Sequence, residues 1–170
     1  MKATAESIQV VLDYMEEKLF PPVRLNRILV PVDYSSNSEK AVRYACRFAE
    51  EFEATISALY VATYEPPLVA GGLVPVRAIS HRKEWKETLT RWGKQIIPDE
   101  YRGDFLVREG NVSREICDTA KQMESDLVVI STHGETGFQH ALLGSTAERV
   151  VQRAPCPVLV VRDSERDFID

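Results

Sequence analysis

No run in the 170 residues approaches the roughly 20 consecutive apolar residues needed to cross a bilayer, so no membrane span is expected. Cysteine is scarce: Cys46, Cys117 and Cys156 are far apart and form no C-x-x-C pair, which argues against a disulfide framework and a zinc site. A reducing cytoplasm is the simplest compartment. Cys117 and Cys156 stand among apolar neighbours and are expected to be buried fillers. Basic charge is not in excess. Lys and Arg number 21 against 26 Asp and Glu, a net charge of −5, which argues against nucleic acid or an anionic membrane as partner. A small anion is still compatible, because a helix end outweighs a weak global charge. A secretory signal is not expected either. The apolar N-terminal stretch is broken by Asp13, Glu16 and Glu17 and has no small-residue cleavage site. The chain also lacks a Walker A G-K-[ST], a Rossmann glycine fingerprint after its first strand, and a G-x-S-x-G elbow. A hydrolase triad is therefore not expected. His133 and His140 have no third ligand in view, so no metal site is expected.

What is present is a change of period. Ile8, Val11, Leu12, Met15 and Leu19 recur at helical spacing until Pro21 and Pro22 stop the pattern, which predicts an amphipathic N-terminal helix. Residues 1–24 read as that helix and a Pro linker, residues 25–162 as the main domain, and residues 163–170 as an acidic tail. Within the main domain short apolar runs alternate with amphipathic stretches. Strands are predicted at 28–32, 55–61, 105–107, 127–130 and 158–161. Helices carrying Ala41, Ala45, Phe48, Ala49 and Phe52, then Trp85, Leu89, Trp92 and Ile96, then Ile116, Ala120 and Met123, and finally Val150 and Val151, fall between them. Ser36 with Glu39, and Ser145 with Glu148, read as capping boxes. Strictly alternating strands and helices predict an α/β fold, a doubly wound five-stranded parallel sheet, with the N-terminal helix as an addition.

Ligands in such sheets bind beyond the carboxyl ends of the strands, where strand order reverses. Asp33 follows the first strand and suits ribose hydroxyls; its alternative role is to cap the next helix. Residues 131–145 follow the fourth strand. Gly134 and Gly137 permit close backbone approach there, and Gly144 and Ser145 open a helix whose N–H groups favour an anion. With Glu135 and no lysine in this loop, any nucleotide is expected to be held by backbone N–H groups, a helix end and Asp33, not by side-chain charge.

Three stretches together resemble the universal stress protein (UspA-type) family over residues 25–162. They are Arg27 to Ser35 (RILVPVDYS), Gly110 to Ile116 (GNVSREI), and Asp126 to Gly137 running on through Leu142-Leu-Gly-Ser145 to Ala154-Pro-Cys-Pro-Val-Leu-Val-Val161. The resemblance implies a Rossmann-like fold of the adenine-nucleotide alpha-hydrolase-like kind. It also implies binding of an adenine nucleotide, ATP or AMP, with Mg2+ as a possible companion of ATP, and a role as a stress-response regulator or protective factor. At most slow, incidental ATP hydrolysis is implied. By the resemblance Asp33 contacts ribose, Val32 and Val61 flank adenine, and Gly134, Gly144, Ser145 and Thr146 hold phosphates, with Pro31, Ser131 and His133 completing the site. A homodimer through the last strand, Val158–Val161, is also implied. Nucleotide-binding members carry G-x-x-G, nine residues, then G-[ST]. Here Gly134, Gly144 and Ser145 keep the spacing, but Ser131 replaces the first glycine, and Glu135 stands where many members have Arg or Lys. Both departures favour an alternative, a nucleotide-free dimeric interaction protein of the same fold.

Overall fold

The computed structural model describes residues 22–63, 81–132 and 144–162, together with Gln9 and Leu19. The helix expected over residues 1–20 lies outside the described residues except for those last two, which are helical and exposed. In chain order the elements are β1 (Arg27–Pro31), α1 (Ser36–Phe52), β2 (Thr55–Ala62), α2 (Arg82–Ile96), a 3-10 turn (Asp99–Tyr101), β3 (Arg102–Glu109), α3 (Val112–Gln122), β4 (Leu127–Ser131), α4 (Ser145–Arg153) and β5 (Val158–Val161). The strands form one sheet in the order β3-β2-β1-β4-β5, parallel at every junction. The expected doubly wound five-stranded sheet is therefore the observed one, with its order reversing at β1.

Both faces of the sheet are covered. On one side α1 and α2 lie over Ile28, Val30, Ile56, Ala58 and Val129. On the other α3 and α4 lie over Leu29, Leu59, Val128 and Ile130. Alternate residues of each strand thus serve opposite cores, which is why the central strands carry no polar face. Ala41, Ala45 and Ala49 make a four-residue ridge of fully buried small side chains, letting α1 sit close on the sheet. At the amino ends, the Asp126 carboxylate accepts from the N–H groups of Asn26 (2.8 Å) and Arg27 (2.9 Å), tying the entry of β1 to that of β4.

The helix starts differ from the expected capping boxes. For α1 the cap is Ser35, not Ser36: its hydroxyl oxygen accepts from the Ser38 N–H at 3.2 Å. Glycine, at position 144, is the cap of α4, so Ser145 is its first helical residue and no side chain caps that end. Cys117 and Cys156 are half-buried at the margin of the α3/α4 core rather than buried within it. Burial still raises both thiols above the ordinary cysteine range, and it pushes Cys46 up to about 11.

The two sheet edges are unlike. On β3 the outward carbonyls of Phe105 and Val107 are taken by side chains of α2, Lys86 and Arg82 respectively. On β5, Pro157 and Val161 turn their carbonyls to β4, accepting from Val128 (3.0 Å) and Thr132 (3.1 Å). Alternation then leaves the N–H and C=O of Val158 and Val160 on the outer edge. Among the described residues nothing bonds to them.

Candidate functional site

At the order-reversing junction the pairing of β1 with β4 is short, and a proline stands where it stops. Val32 donates to Leu59 at 2.8 Å, on the β2 side. Alternation therefore aims the nitrogen of residue 31 at β4, and Pro31 has no hydrogen to give. The β1–β4 ladder accordingly runs through Ile28–Leu127 and Leu29–Val128 and stops, short of the ends of both strands. The β1–β2 ladder continues to Pro31–Leu59. The pairing of β1 with β4 thus ends before their carboxyl ends, at the junction where the strand order reverses and where ligands of such sheets bind.

On the near side of this junction is a turn organised by Asp33. Its Oδ1 accepts from the Ser35 N–H (3.1 Å) and from the Ser35 hydroxyl (2.6 Å). Ser35 in turn caps α1, and the Ser38 hydroxyl donates to the Ser35 carbonyl at 3.0 Å. Asp33 is half-buried where β1 stops, and it serves the start of α1 indirectly, by holding Ser35, the residue that caps that helix. Between them Tyr34 adopts φ 65, a left-handed conformation rare for a bulky residue. Its ring is held by Tyr60 (centroids 5.1 Å apart) and, edge to face, by Trp92 (5.6 Å). The enclosed Tyr34 hydroxyl has no hydrogen-bond partner among the described residues, and burial, then the nearby Tyr60 hydroxyl, pushes it up to about 12.

On the far side is the start of α4. Gly144 donates its N–H to the Thr132 carbonyl at 3.1 Å, which brings the helix start back to the end of β4. The backbone of Gly144 is extended, at φ −66 and ψ 147, a conformation open to any residue. Space is the reason for glycine: a Cβ would overlap the Thr132 carbonyl oxygen. The first-turn N–H groups of α4 then face outward with no side-chain cap, a setting that favours a negative group.

Next to this helix start is a cavity of about 380 Å³, lined by Thr63 beyond β2, Gly110 to Ser113 at the start of α3, and Thr146 and Arg149 on α4. At α3 the Asn111 side-chain oxygen accepts from the Ser113 hydroxyl (3.0 Å) and the Arg114 N–H (3.1 Å). Gly110, at φ 145, makes the tight turn from β3 into that cap.

Of the residues expected to form the site, Pro31, Val32 and Asp33 end β1, Val61 is half-buried near the end of β2, and Ser131 is the half-buried last residue of β4. Gly144, Ser145 and Thr146 open α4. These stand at the carboxyl ends of adjacent strands. His133 and Gly134 lie outside the described residues, as do Gly137 and Glu135. Asn111, Ser113 and Arg149 were not singled out from sequence. The i, i+3 spacing of Thr146 and Arg149 places both on one face of α4, and that spacing was the available signal. Arg149 puts a cation on the same face of α4 as Thr146.

Known proteins share this fold. Residues 24–162 match the model of the Universal stress protein family. Universal stress protein MJ0531 of Methanocaldococcus jannaschii is 34% identical over 150 residues, covering 83% of this chain and 84% of that protein. The structure of UspA from Lactobacillus plantarum superposes with a TM-score of 0.65 at 29% identity, covering 83% of this chain and 100% of the other. Two more distant neighbours share the fold. One is a universal stress protein in complex with cAMP (TM-score 0.59, 20% identity, 82% and 98% coverage). The other is an Archaeoglobus fulgidus universal stress protein in complex with dAMP (TM-score 0.53, 24% identity, 82% and 99% coverage).

Proposed function

The chain belongs to the universal stress protein family, and from that premise we propose that it binds an adenine nucleotide at the carboxyl-end junction of β1 and β4. The observation that carries the proposal is the uncapped start of α4, drawn against the end of β4 by Gly144 beside the junction where the β1–β4 pairing stops. In this reading the base lies by Val32 and Val61 and the ribose hydroxyls bond to Asp33. The phosphates lie on the N–H groups and hydroxyls of Ser145 and Thr146, with Pro31, Ser131, His133 and Gly134 completing the site. That two fold neighbours were solved with cAMP and dAMP supports the ligand class. The protein acts as a nucleotide-responsive regulator or protective factor of the stress response. It binds rather than transforms its ligand.

The same reading makes the protein a homodimer through β5. Its bare outer edge at Val158 and Val160 supports this, since the opposite edge, on β3, is already occupied by Lys86 and Arg82. A partner strand across a two-fold axis completes the unpaired edge.

Ser131 favours the rival reading, a dimeric interaction protein without nucleotide, because its Cβ occupies a place that the family pattern leaves to glycine. Native mass spectrometry of the purified protein separates the two. A mass excess of one AMP, ADP or ATP per subunit is expected. A subunit that carries no nucleotide, and acquires none when ATP is added, favours the rival.

A further inference from the structure

Among the described residues lining the cavity beside α4, Arg149 is the one charged side chain. It is exposed and makes no ion pair with the described residues, whereas Arg27, Arg43, Arg47 and Arg114 each hold a carboxylate. At about 380 Å³ the cavity falls within the roughly 300–1,000 Å³ typical of small-molecule sites. Its other polar walls are rich in donors. They include the Thr146 hydroxyl, the Asn111 side-chain amide, and the first-turn N–H groups of α3 at Val112 and Ser113. The Asn111 oxygen is already engaged by Ser113 and Arg114. The acids adjacent in sequence, Glu109 before Gly110 and Glu148 before Arg149, do not line the cavity, and neither does Glu115, which lies against Gly110. A pocket of donors whose described lining holds one guanidinium and no carboxylate suits an anion with several oxygens.

Position along α4 says which part of a ligand that anion is. Thr146 is in the first turn and Arg149 three residues on, a rise of about 4.5 Å along the axis. A phosphate on the Ser145 and Thr146 N–H groups stops short of Arg149, and a longer phosphate chain reaches it. Resting on the nucleotide reading above, we infer that this cavity seats the outer phosphates of a nucleoside triphosphate. Arg149 then makes the site prefer a triphosphate over a monophosphate.

Calorimetric titration of AMP, ATP and inorganic tripolyphosphate tests this on the wild type, Arg149→Gln, and Arg153→Gln as a charge control on the same helix. Arg149 is exposed, so its replacement leaves the melting temperature in place. The wild type is expected to bind ATP at least roughly tenfold more tightly than AMP, the scale of a charge-assisted pair. Arg149→Gln should bring that ratio within about threefold while leaving AMP affinity unchanged, as a lost phosphate contact would. It should also abolish tripolyphosphate binding, and Arg153→Gln should change none of these. An ATP-to-AMP ratio that Arg149→Gln leaves intact overturns the inference, as does a wild type that binds AMP and ATP equally; in both cases the nucleotide site itself stands. A wild type that binds tripolyphosphate through Arg149 but neither nucleotide supports the phosphate seat and overturns the nucleotide reading.

Discussion

Gly144 gives its amide hydrogen to the carbonyl of Thr132, so the end of β4 and the beginning of α4 meet. That contact leaves no volume for a side chain at position 144. Gly144→Ala forces the helix start away from β4, at a cost of about 1–3 kcal/mol typical of overpacked sites. In a domain of this size the melting temperature should fall by roughly 2–10 °C. Nucleotide affinity should fall with it, because the displaced N–H groups no longer face the junction. A Gly144→Ala protein that melts like the wild type would show that the Thr132 contact is not a constraint.

Pro31 stands where the β1–β4 pairing stops and has no hydrogen to give, which makes Pro31→Val informative. Valine restores a donor aimed at β4, and the new hydrogen bond contributes about 1 kcal/mol. Losing the proline's restriction of the unfolded chain costs about 0.4–1 kcal/mol. The two nearly offset, so stability should hardly change. The expected signature is structural: the residue 31 amide becomes protected from hydrogen exchange and nucleotide affinity drops. A rapidly exchanging amide at 31, with affinity unaltered, would assign the end of the pairing to something other than the proline.

The bare edge of β5 yields a sharper test than an apolar-to-charged change. Val160 directs its N–H outward, so Val160→Pro deletes an edge donor and leaves the β4 ladder bonds through Leu159 and Val161 untouched. Sedimentation velocity should show a dimer for the wild type and a monomer for Val160→Pro, with the far-ultraviolet circular dichroism of a folded α/β protein in both. A Val160→Pro dimer would place the subunit contact elsewhere.

Tyr34 carries an enclosed hydroxyl without a hydrogen-bond partner among the described residues. Tyr34→Phe removes that unsatisfied group, keeps the ring contacts with Tyr60 and Trp92, and is expected to gain about 1 kcal/mol, or roughly 2–4 °C. The pH dependence has a definite sign. Burial, then Tyr60, raises this group from 10.0 to about 12, so its contribution is complete below pH 10 and is lost as pH rises through about 12. Tyr34→Phe should therefore flatten the alkaline limb of a melting-temperature profile between those values. Equal limbs in the two proteins would mean that Tyr34 ionises as readily folded as unfolded.

Legibility in the sequence followed burial. The strands over both cores read as plain apolar runs, and β5 was located to the residue. In β3, Arg102, Asp104 and Arg108 alternate with buried Phe105 and Val107, as expected at a sheet edge. Only the apolar middle of that strand stood out. Caps were misread for a different reason. Ser35, Ser36 and Ser38 offer overlapping capping patterns, and the turn set by Asp33 and the left-handed Tyr34 selects Ser35. At α4 the Ser145–Glu148 pattern was complete, yet the Thr132 contact makes Gly144 the cap. Arg149 escaped notice because an arginine in the second turn of an amphipathic helix looks like ordinary solvated surface. Only the fold sets it against the start of α3.

The central claim is that a nucleotide sits between Asp33 and the start of α4, and calorimetric titration of ATP with Mg2+ into three proteins tests it most directly. The wild type should bind one ATP per subunit. Asp33→Ala should bind at least roughly tenfold more weakly, the scale of lost hydrogen bonds to a charged group. Ser35→Ala removes the α1 cap, which costs about 1 kcal/mol of stability, and one of the two hydrogen bonds by which Ser35 orients Asp33, so its affinity should fall clearly less than that of Asp33→Ala, whose ligand contact is lost outright. Asp33→Ala and Ser35→Ala proteins that lose affinity equally would reduce Asp33 to a brace for α1. A wild type that releases no heat with ATP, in a protein shown to be folded, would contradict the claim outright.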